Sequence, residues 1–163
     1  TKPMSENTQS TEAVVVERTF DAPIELIWQL WTNPADFQQW YGPVGFSVPV
    51  AEMDVQVGGK RLVCMEMPTD GDPMRMWTVG EFTLLEKPHR LAYTESPSDA
   101  EGNIITDSNM PTNTLVTVVL ETIETGTKMT LTHAGLPANA GGANDGWQQA
   151  FNKLADYAES LAD

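Results

Sequence analysis

The stretch GWQQAFNKLADYAESL, Gly146 to Leu161, decides the reading of this chain. Trp147, Ala150, Phe151, Leu154, Ala158 and Leu161 recur at the spacing of one helical face, while Gln148, Gln149, Asn152, Lys153, Asp156 and Glu159 take the other. The pattern predicts an amphipathic terminal helix of about 18 residues. Residues 135–146 ahead of it are rich in Gly, Ala and Asn, a flexible lead-in with Asn144 as a candidate cap. A stripe carrying both an indole and a phenyl ring needs a broad apolar surface to lie on.

Strands supply that surface. Residues 114–123 and 128–133 read as a hairpin through Glu124-Thr125-Gly126. Further back, 46–57 and 62–67 are joined by Gly58-Gly59, a pair that permits positive φ at a tight reversal. After the turn Thr69-Asp70-Gly71-Asp72-Pro73 come strands at 74–86 and 90–95, separated by Lys87-Pro88-His89. The polar segment 96–111 reads as a long loop and a candidate lid. At the start, 14–20 alternates as a strand with Val14, Val16, Arg18 and Phe20 on one face. Pro23 then opens a helix carrying Ile24, Ile27, Trp28 and Trp31, and Asn33-Pro34 caps and restarts a second short one with Phe37 and Trp40. The result is an α+β chain: one strand, two short helices, an antiparallel meander and a long terminal helix, forming one domain over 13–163 behind a disordered polar tail at 1–12.

Composition narrows the function classes. Nine Lys plus Arg against 23 Asp plus Glu give a net charge of -14, which argues against nucleic acid and against anionic membrane surfaces, since both draw affinity from clustered cations. The acidity reads as a solvated surface. No apolar run approaches the roughly 20 residues that span a bilayer, so membrane insertion is not expected, and the N-terminal residues lack the basic start and apolar core of a secretory signal. Cys64, the single cysteine, can form no intrachain disulfide, and a reducing, cytoplasmic location is the expectation.

The element order resembles the START-like, or helix-grip, superfamily (SRPBCC) that includes the birch-pollen allergens and polyketide cyclases. Phe20-Asp21-Ala22-Pro23 leading to Trp28, then Gln39-Trp40-Tyr41-Gly42-Pro43, Gly58-Gly59, Gly80-Glu81-Phe82 and Gly146-Trp147 are similar to the bacterial family named after the activator of the heat-shock-protein-90 ATPase. Relatives often carry a His or Glu near the Gly-Trp pair, where this chain has Asn144-Asp145. The resemblance implies a curved sheet of about six to seven strands gripping the terminal helix around a cavity. It also implies three functions to weigh: binding of a small hydrophobic or amphipathic molecule, ranked first; interaction with a chaperone or another protein, ranked second; and cyclase-like catalysis, ranked third.

Candidate cavity-lining side chains are the rings on inward faces, Trp31, Phe37, Trp40, Phe46, Trp77, Phe82, Tyr93, Trp147 and Phe151, which serve equally as core filling. Eight Met residues add adaptable packing, Met65, Met67, Met74 and Met76 among them. His133 alternates with Met129 and Leu131, so its imidazole points inward as a satisfied core group or a titrating one. Arg18 shares a face with Val16 and Phe20, where a guanidinium would hold a carboxylate or enolate. Arg61 and Arg75 sit beside turns, where pairing with one of the many acids is the expectation. Cys64, mid-strand with no cationic neighbour, reads as an inert buried group. Asp70, Asp72, Asp99, Glu101 and Asp107 do not follow the calcium-loop spacing and read as turn residues. His89 and His133 are too isolated for a zinc motif, and no phosphate loop, dinucleotide fingerprint or hydrolase elbow is present. No metal, cofactor or catalytic set is therefore expected.

Overall fold

The computed structural model describes residues 11–107, 111–137 and 142–161. Its elements are β1 (Thr11–Phe20), α1 (Ile24–Thr32), α2 (Pro34–Phe37), β2 (Ser47–Met53), β3 (Lys60–Met67), β4 (Met74–Glu86), β5 (Arg90–Ser98), β6 (Thr114–Ile123), β7 (Gly126–Pro137) and α3 (Gly142–Leu161). The seven strands form one antiparallel sheet in the order β1-β7-β6-β5-β4-β3-β2. Strands β2 to β7 are thus a meander of consecutive neighbours, and β1 crosses to the far edge, with α1 and α2 spanning the gap. Register breaks between Glu12 and Ala13, Ser47 and Val50, and Phe82 and Leu84 kink the strands, the usual means by which a sheet curves.

The curved sheet closes its concave face on α3. Trp147, Ala150, Phe151, Leu154 and Ala158 are buried there, as the helical periodicity requires, whereas Leu161 at the helix end is 43 % exposed. On β1, Val16 and Phe20 face the core while Val15 is exposed, the period-two alternation of a strand with one wet side. Asn33 caps α2, its side chain accepting from the Asp36 amide, and Pro34 fills the first helical position, where no amide donor is needed. At the reversal before β3, Gly58 takes φ +85, and a Cβ on Gly59 would collide with the Asp54 carbonyl.

Some boundaries differ from the sequence reading for physical reasons. Thr11 and Glu12 belong to β1 rather than to a tail, because β7 extends to Pro137 and offers them ladder partners; the remainder of the expected tail lies outside the described residues. Ser96 to Ser98 continue β5, since β4 runs long enough to pair with them. The helix begins at Gly142, which puts Asn144 inside its first turn and not at its cap. The acidic turns hold themselves: Asp99 accepts the amides of Glu101 and Asn103, which lowers its carboxyl pKa, and Thr69 bonds Asp72 and Gly71.

Candidate functional site: a cavity between the sheet and the terminal helix

Two ends of the gripped space are filled differently. At one end the rings of α1, α2 and α3 pack on each other: Trp31 lies 4.7 Å from Trp40 edge-on, 6.3 Å from Phe151 and 6.5 Å from Phe37, measured between centroids. Their polar atoms are occupied as well, Trp40 Nε1 donating to the Leu30 carbonyl at 2.9 Å and Trp31 Nε1 to Met129 Sδ at 3.3 Å. This end is solid core. At the other end a cavity of about 340 Å3 remains, walled by Tyr41, Gly42 and Pro43 from the loop after α2, Met65 and Met76 from β3 and β4, Glu95 and His133 from β5 and β7, and Ala143, Gly146, Trp147 and Ala150 from α3. Gly42, at φ +91, lets the loop close against Met65, whose sulfur lies 3.0 Å from where a Cβ would stand.

The polar groups of this wall are fixed in two chains. In the first, Trp147 Nε1 donates to His133 Nδ1 at 3.2 Å, His133 Nε2 meets Thr114 Oγ1 at 2.9 Å, and Thr114 Oγ1 donates to the Glu95 carbonyl at 3.0 Å. Because Nδ1 accepts and the threonine proton is spent on the carbonyl, the ring is neutral with its hydrogen on Nε2. Burial lowers the His133 pKa in the same sense, opposed by the charge of Glu95. In the second, the Tyr41 hydroxyl donates to Glu95 Oε2 at 3.1 Å, with the Tyr93 hydroxyl 3.4 Å behind it. Burial raises the pKa of both phenols, so they remain donors across the physiological range.

Behind Tyr93 lies Arg61, 2 % exposed, its guanidinium carbon 3.6 Å from the Tyr93 ring centroid, 5.3 Å from Phe37 and 5.6 Å from Phe82. The surface ion pair expected of it is not found: no described carboxylate lies within salt-bridge distance, and its Nε has no hydrogen-bond partner. Three aromatic faces stand in for a counter-ion. Arg75 does pair as expected, with Glu66 at 2.7 Å.

Of the side chains expected at the cavity, His133 and Trp147 line it. Trp31, Phe37, Trp40, Phe82, Tyr93 and Phe151 are buried core around it, and Phe46 is half-buried on the loop whose carbonyls bind Lys153. Trp77 lies on the opposite, outer face of the sheet, because it pairs across the strands with Cys64 and Ser98 while its neighbour Met76 pairs with Met65 inside. Arg18 reaches across to Asn152 on the exposed flank of α3, so its guanidinium is spent outside the cavity. Cys64 is buried, and burial raises its thiol pKa. Tyr41 and Glu95 are not among the side chains expected there. Tyr41 stands beside a turn, and Glu95, an acid near a strand end, reads as a surface group, although it lies two residues beyond Tyr93 on β5 and alternation puts both on the inner face. The segment expected as a lid instead folds over the outer face, where Ile104 and Gly102 border a second depression with Val79 and Ser96; residues 108–110 lie outside the described residues. Among the described residues no cluster of three or more His, Cys, Asp or Glu is placed to hold a metal ion, and no helix is long and apolar enough to cross a membrane.

A seven-stranded sheet closed on a terminal helix, with two short helices after the first strand, defines a helix-grip, START-like protein. The family itself follows from the sequence: the profile described as activator of Hsp90 ATPase homolog 1-like protein matches residues 21–159, and the chain belongs to that family. The chain is similar to the structure of a protein from Chromobacterium violaceum, at 25% identity and TM-score 0.77 over 90% of this chain and 96% of that one. A protein from Staphylococcus epidermidis shares the fold at 23% identity and TM-score 0.77, over 91% and 90% of the two chains. The AHSA1 protein of Silicibacter pomeroyi does so at 22% and 0.74, over 93% and 100%. No curated protein matches the sequence.

Proposed function

We propose that this protein binds a small, largely apolar molecule in the cavity between the sheet and α3. The observation that carries the reading is the contrast between the two ends of the grip: one is packed solid with rings, while the other leaves about 340 Å3 walled by thioethers, an indole and a phenol. A space of that size lies at the small end of ligand sites, and a largely apolar wall with few polar groups is their usual form. The protein-partner reading has less behind it, since the large exposed apolar side chains, Val15, Val44, Val57, Met74 and Leu115 among them, are spread over separate elements. The cyclase reading relied on Arg18 and His133, and both are engaged, one by Asn152 and the other by Trp147 and Thr114.

The test uses the indole N–H signals in NMR during titration with small neutral aromatic alcohols and ketones. Trp147 is expected to shift saturably while Trp77, on the outer face, stays still. Gly146→Leu is expected to abolish the response: a Cβ at Gly146 meets nothing closer than Pro43 Cγ at 3.6 Å, so the side chain enters the cavity without strain. Replacing a helical glycine also adds about 0.5–1 kcal/mol of helix propensity, so the variant is expected to melt no lower than the parent. An unmoved Trp147, or undiminished binding by the leucine variant, sinks the reading.

A further inference from the structure

We propose that the cavity selects apolar amines over apolar acids, an inference that rests on the ligand-binding reading and names the class of ligand. Among the described residues Glu95 is the only acid on the wall, and no Lys or Arg lines it. Its Oε2 accepts from Tyr41, which orients the carboxylate, and its Oε1 takes no hydrogen bond from a described residue. Among the described residues no cation pairs with it.

The neighbouring groups have no cation to offer an anionic ligand. The guanidinium of Arg61 lies against the Tyr93 ring, 3.6 Å from its centroid and off the cavity wall, where its charge acts on the two phenols. His133 is held neutral, with Nδ1 taken by the indole and its hydrogen directed to Thr114. Lys153, the closest lysine along α3, points to the carbonyls of Tyr41, Pro43 and Phe46 at 3.2 to 3.4 Å. A carboxylate entering here would meet Glu95 with no side-chain cation on the described wall to pair with either. An ammonium would meet that carboxylate, the rings of Tyr41 and Trp147, packed edge to face with centroids 5.8 Å apart, and the soft sulfurs of Met65 and Met76. The surplus of acids over the whole chain adds a long-range field of the same sign.

The experiment compares 4-phenylbutylamine, 4-phenylbutanol and 4-phenylbutyrate on the intact chain, by calorimetry and by the Trp147 indole signal. At about pH 7.5 the amine is protonated and the acid ionised. A charge-assisted bond to the half-buried carboxylate should make the amine bind about tenfold tighter than the alcohol, with the acid weakest. In Glu95→Gln the ratio of amine to alcohol affinity is expected to collapse toward one. Binding of the acid as tightly as the amine overturns the inference, as does an amine preference that survives in Glu95→Gln. Saturable binding of the alcohol with no amine preference overturns this inference alone, whereas binding by none of the three overturns the cavity reading with it. Should the Gln variant fail to fold, the order of the three compounds on the unaltered protein decides.

Discussion

At the scale of the residue, His133 links stability to pH. Burial holds its folded pKa below the ordinary 6.5, so the unfolded chain takes up a proton at a higher pH than the folded one. In the window from about 6.5 down to the folded value the unfolded state carries more protons, and stability falls as pH falls. Above that window both states are neutral and the site contributes no pH dependence. Protonation would also turn Nδ1 into a donor facing the donor of Trp147, so the loss should register at the indole. Thermal melts of the parent and of His133→Gln between about pH 7.5 and 5 test this: a smaller drop in the glutamine variant is expected, and parallel curves would refute the assignment. The histidine's inward face was legible from strand alternation alone. Its neutral state was not, because that depends on Trp147 and Thr114, which come to it from a helix and another strand. Arg61 shows the same limit. A lone arginine after a Gly-Gly turn reads as a surface group, and only the three rings brought around it make it an interior one.

At the scale of the element, the loop between α2 and β2 is held to α3 by two side chains, Gln149, which accepts from the Val44 amide at 3.0 Å, and Lys153. Lys153 donates to three backbone carbonyls, of Tyr41, Pro43 and Phe46, at 3.4, 3.2 and 3.3 Å, and its partial burial lowers its pKa. Since Tyr41, Gly42 and Pro43 form one wall of the cavity, this lysine, with Gln149, holds that wall to the helix. Lys153→Met keeps the aliphatic stem and removes the ammonium. It is expected to cost about 1–3 kcal/mol in chemical denaturation and to speed amide exchange in 41–46 more than in the sheet. Unchanged exchange in that loop would show that the lysine is not what holds it and that the Gln149–Val44 bond and the backbone suffice. The elements themselves were largely legible: strands 74–86 and 114–123 have the bounds that the alternation and turn residues implied, and Asn33 caps as its position suggested. What was not legible was the facing of rings within a strand. Trp77 reads from the sequence as lying on an inward strand face, yet the pairing of Met76 with Met65 puts it on the other side.

At the scale of the whole molecule, a chain with 23 acids and nine bases repels itself more when compact than when unfolded. Screening shortens the reach of that repulsion from roughly 30 Å at 0.01 M salt to 3 Å at 1 M. The melting temperature is therefore expected to climb between low and high sodium chloride, and a flat response would show that the acids are dispersed too widely to strain the fold. Sheet order carries a different consequence, for the timing of synthesis. Phe20 pairs with Thr127, and Thr11 with Pro137, so β1 emerges from the ribosome long before its only neighbour in the sheet exists. At ordinary translation speeds that interval is on the order of ten seconds. During it a strand with bare edges must wait, exposed to whatever chaperones or aggregating partners it meets, and the nascent chain cannot shut its own sheet until β7 has cleared the exit tunnel.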